Sequence, residues 1–143
     1  MTDDPIRTGL VISYRFLWSY EHAQGTEHGR KARPASVVVP VTRAGNLVAI
    51  FPLTTQEPAE GRLAIRVPEM ERRRLKLRGS QPCWILLDEG NQDVLPGSYH
   101  VEPISYDPPV HTYGQFSDAF VREMLRVLAQ AIRAKRLRLV NRG

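Results

Sequence analysis

The sequence predicts a mainly β fold, a small and strongly bent sheet or barrel closed by one C-terminal helix. Three observations carry that prediction. Short apolar runs of strand length recur between turn formers from residue 9 to about residue 104. Two of these runs, 35–41 and 47–53, flank Arg43, Ala44, Gly45 and Asn46, which have the composition of a tight turn. Residues 118–135 instead space their apolar side chains three and four apart over a helical length. Short strands followed by one amphipathic helix bury both faces most simply when the sheet curls and the helix covers it.

In chain order, residues 1–8 are polar, contain Pro5 and read as a loose terminus. Residues 9–14 (GLVISY) form a first strand. Residues 15–33 show neither a period of 2 nor one of 3.6, and long irregular connections are often functional. Within them Phe16, Trp18 and Tyr20 alternate, so the first strand is expected to continue into a hairpin arm. Pro34 holds Arg33 extended, and the valine run after it reads as a strand buried on both faces. Residues 62–67 alternate as a half-exposed strand, and Pro68 opens a short helix over 69–75. Arg72, Arg73, Arg74, Lys76 and Arg78 are either a solvated helix face or a phosphate-contacting patch. Residues 81–88 (QPCWILLD) form a buried strand, 94–104 hold one more, and 106–109 are a turn-rich linker. Ser117 is placed to cap the terminal helix, whose end gathers Arg133, Lys135, Arg136 and Arg138 where cations suit the helix dipole.

A chain of 143 residues is most simply one domain, with a barrel over about 9–104 and a helix over about 117–135. Its apolar content of 42% and charged content of 24% are those of an ordinary soluble globular protein. A formal charge of +5 favours anionic partners without choosing among them. Cys83 is the only cysteine, which excludes an intramolecular disulfide and a Cys-only zinc site; beside Trp84 it reads as a buried small residue. No signal-like start and no apolar run of membrane-spanning length is present, so a cytoplasmic location without membrane association is expected.

The chemistry concentrates on two strand ends. If the runs 35–41 and 47–53 are neighbours, the entry of one and the exit of the other bring Glu27, His28, Arg33, Thr54, Thr55 and Gln56 to the same sheet edge. A guanidinium beside acid–base groups and hydroxyls suits a phosphodiester better than an apolar ligand. Arg30 and Lys31 add positive charge next to Arg33, and Trp18 is the better placed of the two tryptophans for stacking on a base. His22 and His28 lack a further ligand set, so neither a metal nor another cofactor is expected.

Taken in order, these motifs resemble the PemK/MazF (Kid-like) toxins of type II toxin–antitoxin systems. The resemblance rests on Gly9 opening the first strand and on Gly25-Thr26-Glu27-His28 followed by Arg33-Pro34-Ala35 and Ser36-Val37-Val38-Val39. It continues through Pro52-Leu53-Thr54-Thr55-Gln56, Ile85-Leu86-Leu87-Asp88-Glu89 and the helix running from Gly114 to Ala134. His28 stands where the family usually has Gln, and residues 15–24 replace its common Asp-Pro. The resemblance implies an SH3-like small barrel of the CcdB/PemK/MazF toxin type and a homodimer. It also implies a metal-independent endoribonuclease, a hydrolase acting on single-stranded RNA and inhibited by a cognate antitoxin with an acidic, disordered segment.

Under that reading Arg33 stabilises the phosphorane, since its pKa above about 12 makes it a poor literal base. Thr54 donates to the same phosphate, and Glu27 or His28 takes the proton, His28 being better suited near neutral pH. Arg30, Lys31, Thr55, Gln56 and Trp18 would bind the RNA. The alternative is a non-catalytic SH3-like barrel that binds a protein target, or binds RNA without cleavage.

Overall fold

The computed structural model describes residues 5–25, 31–40, 46–77 and 81–143. Its elements are β1 (Leu10–Tyr14), α1 (Ser19–Ala23), β2 (Arg33–Val38), β3 (Leu47–Thr54), β4 (Ala64–Arg66) and α2 (Glu69–Arg74). They continue with β5 (Trp84–Leu86), β6 (Glu89–Val94), β7 (Ser105–Tyr106), β8 (Pro109–Val110), β9 (Thr112–Gln115), α3 (Asp118–Arg133) and β10 (Arg138–Asn141). The fold is mainly β, a sheet of largely antiparallel strands with a helix near the C-terminus.

The main path runs β10-β6-β3-β2-β1-β9, with β5 and β4 branching from β3. The expected pair is present: β2 and β3 are antiparallel, with Ala35 opposite Pro52 and Val38 opposite Ala49. On its other side β3 changes partner, pairing β6 through Leu47–Ile50 and β5 through Leu53 and Thr54. Pro52, which has no N–H to donate, sits in the gap between those two ladders, where a missing donor costs least. Among the described residues no ladder joins β9 to β10 or to β4, so the sheet does not close into a barrel.

Alternation divides the core between the two faces. Val11, Val38, Phe51 and Leu53 pack with Phe120, Met124, Val127 and Leu128 of α3, together with Leu75 and Ile85. Leu10, Ile12, Tyr14, Ala35, Val37, Val48 and Ile50 bury the opposite face with Phe16 and Leu95. The valine run of β2 is thus buried on both sides. Gly9 makes the approach of α3 possible: with φ +98°, its added Cβ would lie 2.5 Å from Val121 Cγ2. Ser117 caps α3 by accepting the Phe120 N–H at 3.2 Å, and its own N–H donates to Glu71 Oε1 at 2.8 Å.

Several expectations are corrected. The aromatic stretch after β1 does not continue as a hairpin arm; it turns into α1, because Trp18 N–H and Ser19 N–H find carboxylates in Glu21 and Glu89. The strand expected over 94–104 lies earlier, at Glu89–Val94, where its polar side chains are held by distant partners. The linker over 106–109 is the turn of the β7–β8 hairpin. The strands β9 and β10 are additional. Helix α3 stops at Arg133 because Lys135 adopts φ 56°, which lets Arg136 N–H return to Ala131 O at 2.9 Å. Arg138 therefore lies on a strand that runs parallel to β6, not on a distal helix end. The turn expected at Arg43–Asn46 and residue Arg78 fall wholly or mostly outside the described residues.

Two clefts flanking the first helix

The C-terminal end of β1 and the start of β2 are paired, Tyr14 opposite Arg33. Past Tyr14 the chain is fixed by a buried amide: Asn91 accepts Leu17 N–H and donates to Leu17 O, both at 2.8 Å. The next residues enter α1, whose first N–H groups are met by Glu89 Oε2 at Ser19 (2.6 Å) and Glu21 Oε1 at Trp18 (3.1 Å). Negative charge at a helix start is favourable, which accounts for two buried carboxylates around a five-residue helix.

This arrangement leaves a cavity of about 260 Å³ lined by Phe16, Trp18, Tyr20, Glu21, Lys31 and Arg33. The Arg33 guanidinium lies 5.2 Å from the centre of the Trp18 ring, and Phe16 meets Trp18 edge-on at 5.0 Å. Among the described residues the buried Arg33 Nε has no hydrogen-bond partner. Burial pushes the Arg33 guanidinium below its ordinary value, and the nearby Glu21 carboxylate opposes that shift. The result is a half-buried cation, held against an aromatic wall, with a donor still to fill.

Of the residues singled out from sequence, Arg33, Lys31 and Trp18 meet in this cavity. Continuing the β2–β3 register two residues past Ala35 and Pro52 sets Arg33 across from Thr54, and alternation gives both the face that carries Ile50 and Val37. Thr54 Oγ1 accepts Gln56 N–H at 3.1 Å, which leaves the hydroxyl proton free to donate. Thr55 and Gln56 are exposed. None of these three lines the cavity. Glu27, His28 and Arg30 lie outside the described residues. Sequence reasoning missed Tyr20 and Glu21. The available signal was the spacing of Glu21 three residues after Trp18, the position from which a carboxylate reaches back to the N-cap N–H.

A second cavity of about 280 Å³ is lined by Arg62, Asp88, Glu89, Lys135, Arg136 and Arg138. Here the guanidinium is held by carboxylates through Nε and Nη2. Arg62 Nη2 reaches Asp88 Oδ1 at 2.8 Å and Glu89 Oε1 at 3.1 Å, while its Nε reaches Asp88 Oδ2 at 3.0 Å. Leu63 N–H also donates to Asp88, at 3.0 Å. Burial alone would raise the Asp88 carboxyl, but the Arg62 bonds and the Leu63 N–H outweigh it and hold the group below its ordinary value. Arg136 donates to Gly61 O.

The arginines of α2 belong to neither cavity: exposed Arg73 pairs with Glu69 at 2.7 Å and half-exposed Arg74 with buried Glu71 at 2.8 Å, whereas the Arg72 side chain is only 11% exposed. Cys83 is buried, and desolvation raises its thiol above the ordinary value, as suits a packing residue. Among the described residues no three His, Cys, Asp or Glu side chains group as a metal site, and no helix is long and apolar enough to cross a membrane. No protein-family model matches the chain, and no curated protein matches it.

Proposed function

We propose that the protein is a metal-independent endoribonuclease of toxin type that holds single-stranded RNA in the cleft of Arg33 and Trp18. The observation that carries this reading is the Arg33 guanidinium, half-buried beside an indole with its Nε unfilled. A cation that binds a phosphate and aromatic rings that stack on a base are the two needs of a single-stranded nucleic acid site. Lys31 and Tyr20 on the same wall add one of each kind.

In the proposed reaction the 2′-hydroxyl loses its proton and its oxygen attacks phosphorus. The bond to the 5′-oxygen breaks and that oxygen takes up a proton, giving a 2′,3′-cyclic phosphate and a 5′-hydroxyl. Arg33 stabilises the charge gathering on the non-bridging oxygens, and Thr54, across the β2–β3 ladder, donates to the same phosphate. Glu27 and His28 are the proposed proton carriers; they belong to the segment that joins α1 to Lys31. Glu21 opposes the desolvation of Arg33 and so helps keep it charged.

The same proposal takes the fold as an opened relative of the SH3-like barrel of these toxins. The support is β3, which serves two ladders on one side as a strand at a barrel corner would. It includes a homodimer and an acidic, disordered antitoxin segment, for which the net charge of +5 offers complementarity.

The test is incubation with end-labelled single-stranded RNA in EDTA. Cyclic-phosphate products from the wild type, far fewer from Arg33→Ala and none from a 2′-deoxy substrate are expected. A folded Arg33→Ala protein that cleaves normally would remove this site, and RNA binding without cleavage would favour the non-catalytic alternative.

A further inference from the structure

The two clefts share one edge and one face of the sheet. Arg138 is paired directly with Glu89, and the register puts Val140, Asn91, Ile50 and Val37 on one row across the sheet. Toward the same edge, Glu89 and Arg138 lie two residues and Arg33 and Thr54 four residues from that row. Paired residues point to the same face, and the Glu89 carboxylate meets the N-terminus of α1. Arg138 therefore lies on the face that carries α1, as Arg33 does. From β2 to β10 the ladder takes three strand steps, roughly 14 Å at about 4.8 Å each.

Within the second cleft the cations have divided roles. Arg62 is consumed by Asp88 and Glu89, and Arg136 by Gly61 O. Lys135 and Arg138 are exposed and, among the described residues, have neither a side-chain hydrogen bond nor an ion pair. The lining carries four cations against two carboxylates, so these two side chains are its surplus charge. Their backbones are anchored, Lys135 by the left-handed turn that ends α3 and Arg138 by its N–H bond to Asp88 O at 3.0 Å.

We infer that Lys135 and Arg138 form a second subsite for the backbone of the same RNA, holding phosphates outside the nucleotides seated at Arg33. This inference rests on the RNA reading above. A strand longer than the first cleft passes α1 and meets the two cations; a strand that only fills the first cleft does not reach them. The subsite gives affinity without reading sequence, because it presents charge and no aromatic wall.

The experiment compares 2′-O-methyl single-stranded RNAs, which the proposed reaction cannot cut, of about 4 and about 16 nucleotides, a span covering known single-strand site sizes. Fluorescence anisotropy is measured at two salt concentrations on the wild type, Arg33→Gln and the double variant Lys135→Asn/Arg138→Gln. Asn tolerates the left-handed backbone at 135, and a thermal melt checks that the double variant folds as the wild type does. The double variant should bind the long RNA roughly tenfold more weakly, with a salt slope shallower by about 1.4, that is about 0.7 for each of two phosphates released. Its affinity for the short RNA should be unchanged, whereas Arg33→Gln should weaken both. Equal loss on both RNAs, or none on either, overturns the subsite and leaves the Arg33 cleft standing. A wild type that binds neither RNA overturns both readings.

Discussion

Arg33 and Arg62 are the same side chain used in opposite ways. Each is partly buried at the rim of a cavity beside α1, and each has a carboxylate in its surroundings. Arg62 spends its donors on Asp88 and Glu89, so it ties the turn before β4 to the β5–β6 junction. Arg33 is set against Trp18 and keeps Nε unfilled. A partly buried cation clamped by two carboxylates acts as a strut, whereas one desolvated with a donor left unpaired carries a cost that a bound anion would offset.

The largest expected effect separates the two. Arg33→Ala should lower RNA cleavage about 10²–10³-fold, the range for removing one donor to a developing oxyanion, while circular dichroism and the melting curve stay near wild type. Arg62→Ala should do the reverse, lowering stability by on the order of 3 kcal/mol because a buried carboxylate loses its cation, with kcat in the folded fraction little changed. Equal damage to activity and stability in both variants, read by denaturant titration and single-turnover cleavage, would erase the distinction.

A smaller effect is expected at Thr54. Its hydroxyl donates one neutral hydrogen bond in the proposed reaction, so Thr54→Ala should slow cleavage about tenfold. Thr54→Ser should restore most of that rate, since only the hydroxyl is needed. Failure of Ser to rescue would make Thr54 a β3–β5 ladder residue and nothing more.

The smallest effect is one of pH and sharpens the Arg62 side. The Asp88 carboxyl is depressed from an ordinary value of 3.8, so the stability it contributes is present above that value and is lost as pH falls through the lower folded value. The stability gap between wild type and Asp88→Asn should therefore be constant near neutrality and close below pH 3.8. A gap that widens in acid would contradict the assigned pairing. Chemical denaturation at stepped pH measures it.

How much could be read from the chain depends on where each residue finds its partner. The β2–β3 pair was legible because valines and isoleucines announce burial within a few residues of each other, and its register pairs Ala35 with Pro52, two residues short of Arg33 and Thr54. Helix α3 was legible through its periodicity, and its cap through Ser117. The strand β6 reads EGNQDV, which looks like a loop; its polar groups are buried because Tyr14, Leu17 and Arg62 satisfy them from far along the chain. Helix α1 is too short to show a period, and β10 has a single buried residue. The sequence pattern accordingly puts Arg138 near a helix end, and its position at the edge shared with Arg33 emerges only from the parallel pairing of β10 with β6.

Arg142 carries a consequence for the order in which the molecule is made. Its guanidinium donates to the Arg15 carbonyl, meets Asn91 Oδ1 at 3.2 Å and His100 Nδ1 at 2.8 Å, and lies over the Tyr14 ring at 5.5 Å. These groups come from the end of β1, the middle of β6 and the segment before β7. At roughly 5–20 residues per second, a ribosome adds Arg142 about 6–25 s after it has added Arg15. Until then the nascent chain has neither this clamp nor the β10 strand that puts Arg138 beside Glu89. The basic edge that Arg138 completes is thus not assembled until translation has passed residue 142.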